Sequence, residues 1–240
     1  MARSESESAS LPGIFRLALN VVSNQIRKGR PVPVRSRRRA NGESRVADRE
    51  SLIEQAPIQD RDLLQRMSMY FDTVEHRLRH GEGWLIFNAS GRRARRIAGF
   101  IQHRLTEHSP PVSYFVMPWR DFALSAFVTE VGLPSLAPAV ATDERARAEF
   151  DLAARVTSST WTRMLSTDLL VVDGCKPTQR REAELLDRTL ENRQSQKLAT
   201  ILMTPDMPAQ LEADLEIVDP HGRYWHSIFG RMYETGLVAM

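Results

Sequence analysis

The sequence predicts an α/β protein in which helices flank a parallel β-sheet. Short apolar segments recur along residues 84–240, and helical segments separate them. Apolar strands that alternate with helices are typical of parallel sheets covered on both faces. The composition agrees, because 42% of the residues are hydrophobic and 26% are charged, as in average globular proteins. The 240 residues leave room for one sizeable core and an N-terminal extension.

Residues 1–59 are predicted to form a helical and basic extension, part of it disordered. Residues 1–9 are rich in Ser and Glu, which favours disorder. Residues 11–27 have the spacing of a short amphipathic helix, which either docks on the core or binds a partner. Residues 28–50 form an Arg-rich linker, which is either merely solvated or contacts nucleic-acid phosphates. The candidate contacts in this linker are Arg37, Arg38 and Arg39.

Residues 60–240 are predicted to form the α/β domain. It begins with a helix at 60–80, for which Asp60 is the expected N-cap. The further predicted helices cover residues 92–105, 118–131, 143–165, 181–196 and 221–235. The predicted strands cover residues 84–89, 112–117, 168–173, 198–204 and 237–240.

Several classes of protein are excluded by composition. The single cysteine, Cys175, allows no disulfide framework, and no Cys/His zinc spacing is present. His76 and His80 have ligand spacing, but no third ligand is apparent, so no metal is expected. We find neither a secretion signal nor a membrane span, and therefore expect a soluble cytoplasmic protein with no membrane partner. The pI of 9.3 reflects either arginines on solvated faces or a nucleic-acid partner.

Three features follow one another in an informative order. An apolar strand at 84–87 leads into a tight turn and a helix. The strand at 168–173 ends in Asp173, and the strand at 198–204 ends in Thr204. This order of a loop, an acidic strand and a polar strand resembles that of P-loop ATPases.

Within that class the sequence resembles the AAA+ proteins of the bacterial helicase-loader and insertion-sequence helper type, the DnaC/IstB group. The resemblance covers about residues 80–240. It rests on the segments DLLVVD (168–173), LENR (190–193), TILMT (200–204) and GRMYETG (230–236). It implies a AAA+-like core and a role in replication initiation, helicase loading or transposition.

The segment that aligns with the phosphate loop departs from the family pattern. A working G-x-x-x-x-G-K-[ST] loop cradles phosphates with backbone N–H groups, neutralises them with Lys and holds Mg²⁺ with its hydroxyl. Residues 88–95 here are NASGRRAR, so Ala94 takes the Lys position and Arg95 takes the hydroxyl position. Arg93 replaces the last glycine, and Gly91 alone is retained.

The other nucleotide-site positions are also incomplete. Asp173 is retained where the family coordinates Mg²⁺ through water, but Gly174 follows it. Thr204 is followed by Pro205, where the family has its sensor Asn. The remnant of the site is therefore Gly91, Asp173 and Thr204. We predict that the chain does not turn over ATP and carries neither nucleotide nor Mg²⁺; the opposing hypothesis is an ATPase with a non-standard phosphate loop.

Arginines near this loop are candidates for contacts with anions. They either form a solvated basic patch or bind nucleic-acid phosphates, an acidic partner or a nucleotide, because a helix N-terminus favours anions. These residues are Arg92, Arg93, Arg95 and Arg96. Arg231 takes the place where the family supplies an arginine finger to a neighbouring subunit, and the alternative is an ordinary surface arginine.

These features together predict a non-catalytic AAA+-like adaptor that binds protein partners and DNA. The expected partners are an active AAA+ subunit or a helicase, and the chain can take part in an oligomer. Besides the non-standard ATPase, the remaining alternative is a structural scaffold that makes no contact with DNA.

Overall fold

The computed structural model describes residues 56–131 and 144–240. Side chains at 59, 126–131 and 144–154 are outside that description. The predictions made for residues 1–55 also lie outside it, including the amphipathic helix at 11–27 and the linker with Arg37, Arg38 and Arg39.

Helices and strands alternate through the described residues. The helices are α1 (Ile58–Asp72), α2 (Val74–Arg79), α3 (Gly91–Glu107), α4 (Trp119–Val131), α5 (Glu144–Ser166), α6 (Arg180–Ser195), α7 (Pro208–Val218) and α8 (Arg223–Thr235). The strands are β1 (Gly83–Ile86), β2 (Tyr114–Pro118), β3 (Leu169–Asp173), β4 (Ala199–Met203) and β5 (Gly236–Ala239). Among the described helices, none combines the length and apolarity that a membrane span requires.

The five strands form one parallel sheet in the order β2-β3-β4-β1-β5. β1 pairs with β4 on one side and with β5 on the other, and β3 lies beyond β4. The carboxyl ends of β1, β4 and β3 are therefore neighbours at one edge of the sheet. This confirms the predicted α/β class and brings the loop after β1 to the same edge as the ends of the acidic and polar strands.

Two apolar layers cover the sheet. Along β1, Trp84 and Ile86 belong to the cluster formed with α1, α2 and α3, whereas Leu85 and the following Phe87 belong to the opposite cluster. That opposite cluster receives buried side chains from α4 to α8, namely Phe122, Met164, Leu186, Leu215 and Met232. A strand that is buried on both faces explains why β1 is continuously apolar rather than alternating.

At the start of the domain, the structure differs from the single helix predicted at 60–80. The segment forms two helices, because the chain leaves helical geometry at Thr73, where φ is −119°. Asp60 is not the N-cap: α1 begins two residues earlier, and Pro57 takes the N-cap position. Asp60 instead lies in the first turn with only 3% of its surface exposed.

One helix was not predicted from the sequence. α7 covers Pro208–Val218, where no element was predicted. The sequence offers few signals for this helix: Pro208 is its first residue, and Leu211 and Leu215 are buried one turn apart. The other elements predicted between residues 84 and 240 are present, and their bounds differ from those observed by a few residues at most.

Arg193 is a buried cation that joins three elements and is fully inaccessible to solvent. Its guanidinium donates to the carbonyls of Met164, Thr167 and Ala199 at 2.7, 3.0 and 2.6 Å, and to Thr200 Oγ1 at 3.0 Å. Burial lowers its pKa to about 10, which still leaves the group charged at neutral pH. The arginine of the LENR segment therefore fastens α6 to β4 and to the end of α5.

Candidate functional site

The residues of the nucleotide-site remnant lie at the carboxyl edge of the sheet. The loop after β1 contacts the end of β4 directly, since Ala89 N donates to Thr204 O at 2.8 Å. The segment after β3 reaches the same strand, since Cys175 N donates to Met203 O at 2.7 Å. The structure thus places Gly91, Asp173 and Thr204 at one edge of the sheet.

The connection between β1 and α3 is short. β1 ends at Ile86 and α3 begins at Gly91, so only residues 87–90 form the loop. Gly91 has a left-handed φ of +52°, which a residue without a side chain adopts at little cost. Ala94 and Arg95, at the Lys and hydroxyl positions of the aligned pattern, both lie within the helix.

The backbone N–H groups of this loop are used within the chain. Each of the four donates to a backbone carbonyl of a neighbouring segment or of the loop itself. The pairs are Phe87 N to Ala239 O (2.8 Å), Asn88 N to Asp206 O (3.0 Å), Ala89 N to Thr204 O (2.8 Å) and Ser90 N to Asn88 O (3.2 Å). A phosphate-binding loop presents such groups to its ligand instead.

Arg93 covers the loop from the side of α3. Its Nη1 donates to the carbonyls of Phe87 and Asn88 at 3.3 and 3.0 Å, and its Nη2 donates to Met240 O at 2.9 Å. Its Nε lies 2.9 Å from a carboxylate oxygen of Asp60. The side chain is only 16% exposed. The residue at the last glycine position thus links the loop, the residue after β5 and the first turn of α1.

The predicted basic cluster divides into two pairs. Arg96 also forms an ion pair with Asp60, so that Asp60 balances both Arg93 and Arg96. A buried carboxylate with two guanidinium partners is a structural arrangement, because either charge alone would be costly to bury. Arg92 and Arg95 lie exposed on α3. Arg92 and Arg95 are therefore the most accessible members of the cluster, whereas the Arg96 side chain is 33% exposed and already paired.

The residues after β3 are only partly exposed. Burial raises the pKa of the half-buried Asp173. Gly174 has a φ of +76° and turns the chain, and Cys175 behind it is 1% exposed. Burial raises the pKa of the Cys175 thiol, which keeps it protonated and unreactive at neutral pH.

Thr204 is completely buried, and its polar groups bond to the end of β1 and to the turn that follows β4. Its N–H donates to Ile86 O at 2.9 Å. Its Oγ1 accepts a hydrogen bond from Asp206 N at 3.2 Å. The residue at the end of the polar strand therefore bonds to β1 and to the following turn rather than facing solvent.

Lys176 is a member of this edge that sequence analysis missed. Its Nζ lies 3.1 and 3.2 Å from the two carboxylate oxygens of Asp206 and 3.3 Å from Asp214 Oδ2. The hydrogen bonds to Asp206 and then to Asp214 raise the pKa of Lys176. The residue adjoins the acidic strand in sequence, but Asp214 lies on α7, the helix that had not been predicted.

Arg231 makes its contacts within the chain. On α8, its Nε lies 3.2 Å from Ser227 Oγ and 3.5 Å from Asp187. Its two terminal nitrogens lie 3.1 Å from Gln194 Oε1 and 3.3 Å from Glu191 Oε1. The side chain is 27% exposed. In this arrangement the predicted arginine finger ties α8 to α6.

No family model matches the sequence, and no curated protein matches it. A DNA replication initiation factor shares its fold at 12% identity with a TM-score of 0.50, over 78% of this chain and 48% of that chain. The DnaC helicase loader matches at 11% identity with a TM-score of 0.51, over 77% of this chain and 92% of the loader.

A third solved structure is the replication initiator DnaA bound to AMPPCP and single-stranded DNA. It matches at 13% identity with a TM-score of 0.51, over 80% of this chain and 49% of that chain. The chain thus spans about half the length of the initiation factor and of DnaA. At these identities the likeness is one of fold, and it confirms the DnaC/IstB-like AAA+ fold that the sequence resemblance implied.

Proposed function

We propose that this chain, which has the fold of AAA+ helicase loaders and replication initiators, is a non-catalytic adaptor in DNA replication. It joins protein partners and DNA without binding or hydrolysing a nucleotide. The observation that carries this proposal is the loop after β1. Its N–H groups are bonded within the chain, and Arg93 lies across its carbonyls.

The residues at this edge do not fit a Mg²⁺–nucleotide complex. A phosphate loop needs a Lys to neutralise the phosphates and a hydroxyl group to hold Mg²⁺. Here Ala94 and Arg95 occupy those two positions. Lys176 already forms ion pairs with the carboxylates of Asp206 and Asp214. Loss of the charge stabilisation at several such positions would slow phosphoryl transfer by orders of magnitude.

The nucleotide part is tested on the purified full chain with ATP and ADP, with and without Mg²⁺. We expect no thermal shift, no heat of binding and no phosphate release at millimolar nucleotide. A ligand at one hundred times its Kd would stabilise the native state by about 2.7 kcal/mol, so binding would be visible. A Mg²⁺-dependent shift that disappears in Asp173→Ala would refute the proposal and favour the non-standard ATPase.

The DNA part rests on the exposed half of the basic cluster. Arg92 and Arg95 lie exposed in the first turns of α3, and the DnaA structure of the same fold was solved with single-stranded DNA. A helix N-terminus carries partial positive charge, which adds to that of the two guanidinium groups. Phosphate contacts of this kind position a nucleic acid without reading its sequence.

DNA binding is tested by fluorescence anisotropy with a single-stranded oligonucleotide across a salt series. The double variant Arg92→Ala/Arg95→Ala should weaken binding for all sequences and lower the salt slope by about two. Arg188→Ala is the matched control, because Arg188 is exposed on α6, on the other face of the sheet. If the wild type binds no DNA at low salt, the scaffold alternative holds instead.

A protein partner is supported by an aromatic row on α8. The rings of Trp225 and Phe229 stack at 4.9 Å between centroids, and those of Phe229 and Tyr233 at 5.9 Å. Tyr233 is 68% exposed, and Leu237 of the adjacent edge strand β5 is 42% exposed. Aromatic side chains are enriched in protein interfaces. A helicase or an active AAA+ subunit is the kind of partner proposed for this face.

A further inference from the structure

A cluster of metal-ligating groups lies at the opposite end of β1 from the candidate nucleotide edge. His76, on α2, and His80, directly after it, are one helical turn apart, and their ring centroids are separated by 4.4 Å. Glu82, which immediately precedes β1, completes the group. One ligand atom from each of the three residues lies within 4.8 Å of the other two. The third ligand that was not apparent in the sequence is supplied by the fold.

The turn between α2 and β1 brings Glu82 back to the two imidazoles. Gly81 has a left-handed φ of +69°, and a Cβ at this position would lie 3.0 Å from the Lys197 carbonyl carbon. Glu82 N then donates to Arg77 O at 2.9 Å. Tyr70 Oη donates to Glu82 O at 2.6 Å, so the backbone at Glu82 is held from two directions.

The hydrogen bonds around the cluster leave suitable lone pairs for a cation. His80 Nδ1 lies 2.8 Å from His76 O. Because a carbonyl oxygen only accepts, Nδ1 carries the proton, and the lone pair of Nε2 remains available. In metal sites, a hydrogen bond from the other ring nitrogen to a carbonyl oxygen orients the histidine ligand in this way. Arg77 forms an ion pair with Glu82 Oε2, which leaves Oε1 as the carboxylate ligand.

We propose that His76, His80 and Glu82 bind a divalent transition cation of the zinc class, with a fourth position left to water. Imidazole nitrogens favour Zn²⁺, Ni²⁺ and Cu²⁺, and two histidines with one carboxylate form a common zinc ligand set. Zinc bonds of about 2.0–2.2 Å draw the ligand atoms closer together than in the empty cluster. Both histidines are exposed, so small rotations of their side chains suffice.

The cation would link the end of α2 to the turn that leads into β1. A ligand that binds only the folded chain stabilises it by mass action, so Zn²⁺ should raise the unfolding temperature. This site neither uses nor adjoins Arg93, Asp173 or Thr204. Its presence or absence is therefore independent of the adaptor function proposed above.

The test is a titration of the full chain, purified without a histidine tag, with Zn²⁺ by calorimetry and with Co²⁺ by visible absorption. We expect one cation per chain. His76→Gln and His80→Gln should each weaken binding at least about tenfold, and Glu82→Gln should weaken it as well. Circular dichroism of the metal-free variants verifies that each remains folded.

His226→Gln is the matched control. His226 Nδ1 also bonds a backbone carbonyl four residues earlier, that of Gly222 at 2.7 Å, but this histidine belongs to no ligand cluster among the described residues. Its substitution should leave the affinity for Zn²⁺ unchanged. The proposal is overturned if the wild type takes up no stoichiometric cation, or if the His76 and His80 variants bind as tightly as the His226 variant.

Discussion

At the scale of single residues, the carboxylates at the carboxyl edge of the sheet differ in the cations that they contact. Asp60 has two arginine partners, Arg93 and Arg96. Asp206 has Lys176. Asp173 is half-buried at the end of β3, and loss of solvent raises its pKa. A raised pKa in the folded state means that the ionised carboxylate opposes folding.

Asp173→Asn should therefore stabilise the protein at pH 7. The pKa of the Asp173 carboxyl group is higher in the folded than in the unfolded state. The gain in stability is therefore complete at pH values above the folded-state pKa. It vanishes below about pH 4, where the carboxyl group is protonated in both states. Urea unfolding midpoints measured from pH 7 to pH 3 provide the test. Asp62→Asn, at a side chain that is 75% exposed, should show no such gain. A loss of stability in Asp173→Asn at pH 7 would indicate a cation partner.

At the scale of elements, the helices differ in how they begin. The N-terminus of α6 is closed by Glu182, whose Oε2 accepts from Thr178 N at 2.7 Å, from Gln179 N at 3.2 Å and from Thr178 Oγ1 at 3.2 Å. Glu182 is 8% exposed, so these hydrogen bonds lie out of water. α6 is also the helix that carries Arg193, and its position decides where that cation lies.

Glu182→Ala should destabilise the protein by about 1–2 kcal/mol, because it leaves N–H groups at the start of α6 without an acceptor. Glu184→Ala, two residues further on the same helix and exposed, is the control and should change stability by less than about 0.5 kcal/mol. Both variants are compared by chemical denaturation. Equal effects would show that the buried hydrogen bonds of Glu182 do not stabilise α6.

At the scale of the whole molecule, the central part of the sheet is tightly packed around Gly83. A Cβ on Gly83 would lie 1.8 Å from the Thr200 carbonyl oxygen of β4. On the other side, a Cβ on Gly236 of β5 would lie 2.9 Å from Gly83 O. The two glycines allow the three strands to approach, and this approach carries the loop after β1 to its place beside Thr204.

Gly83→Ala should cost more than about 3 kcal/mol, because backbone atoms of β4 cannot move aside as a flexible side chain would. Gly99→Ala is the opposite case. Gly99 lies inside α3 with nothing within 4 Å of the added carbon, so alanine should stabilise by about 0.5–1 kcal/mol. Urea unfolding of both variants checks the pair. A Gly83→Ala protein as stable as the wild type would contradict the observed approach of β1 and β4.

The sequence by itself predicted the α/β class, the five strands of the described residues and the departures from a phosphate loop at Ala94 and Arg95. These features are local, because apolar runs, helical periodicity and a motif position each depend on residues close together in the chain. It missed α7, a short helix with only two fully buried residues, Leu211 and Leu215, and it misplaced the start of α1.

Only the tertiary structure decided which of the predicted residues are accessible and what they contact. Arg93 and Arg96 meet Asp60 across more than thirty residues of sequence, Arg231 meets α6, and Glu82 turns back to His76 and His80. Sequence spacing reveals a side chain's chemistry and the face of its own element. Its partner depends on where the chain returns after the sheet has assembled, and no local pattern encodes that return.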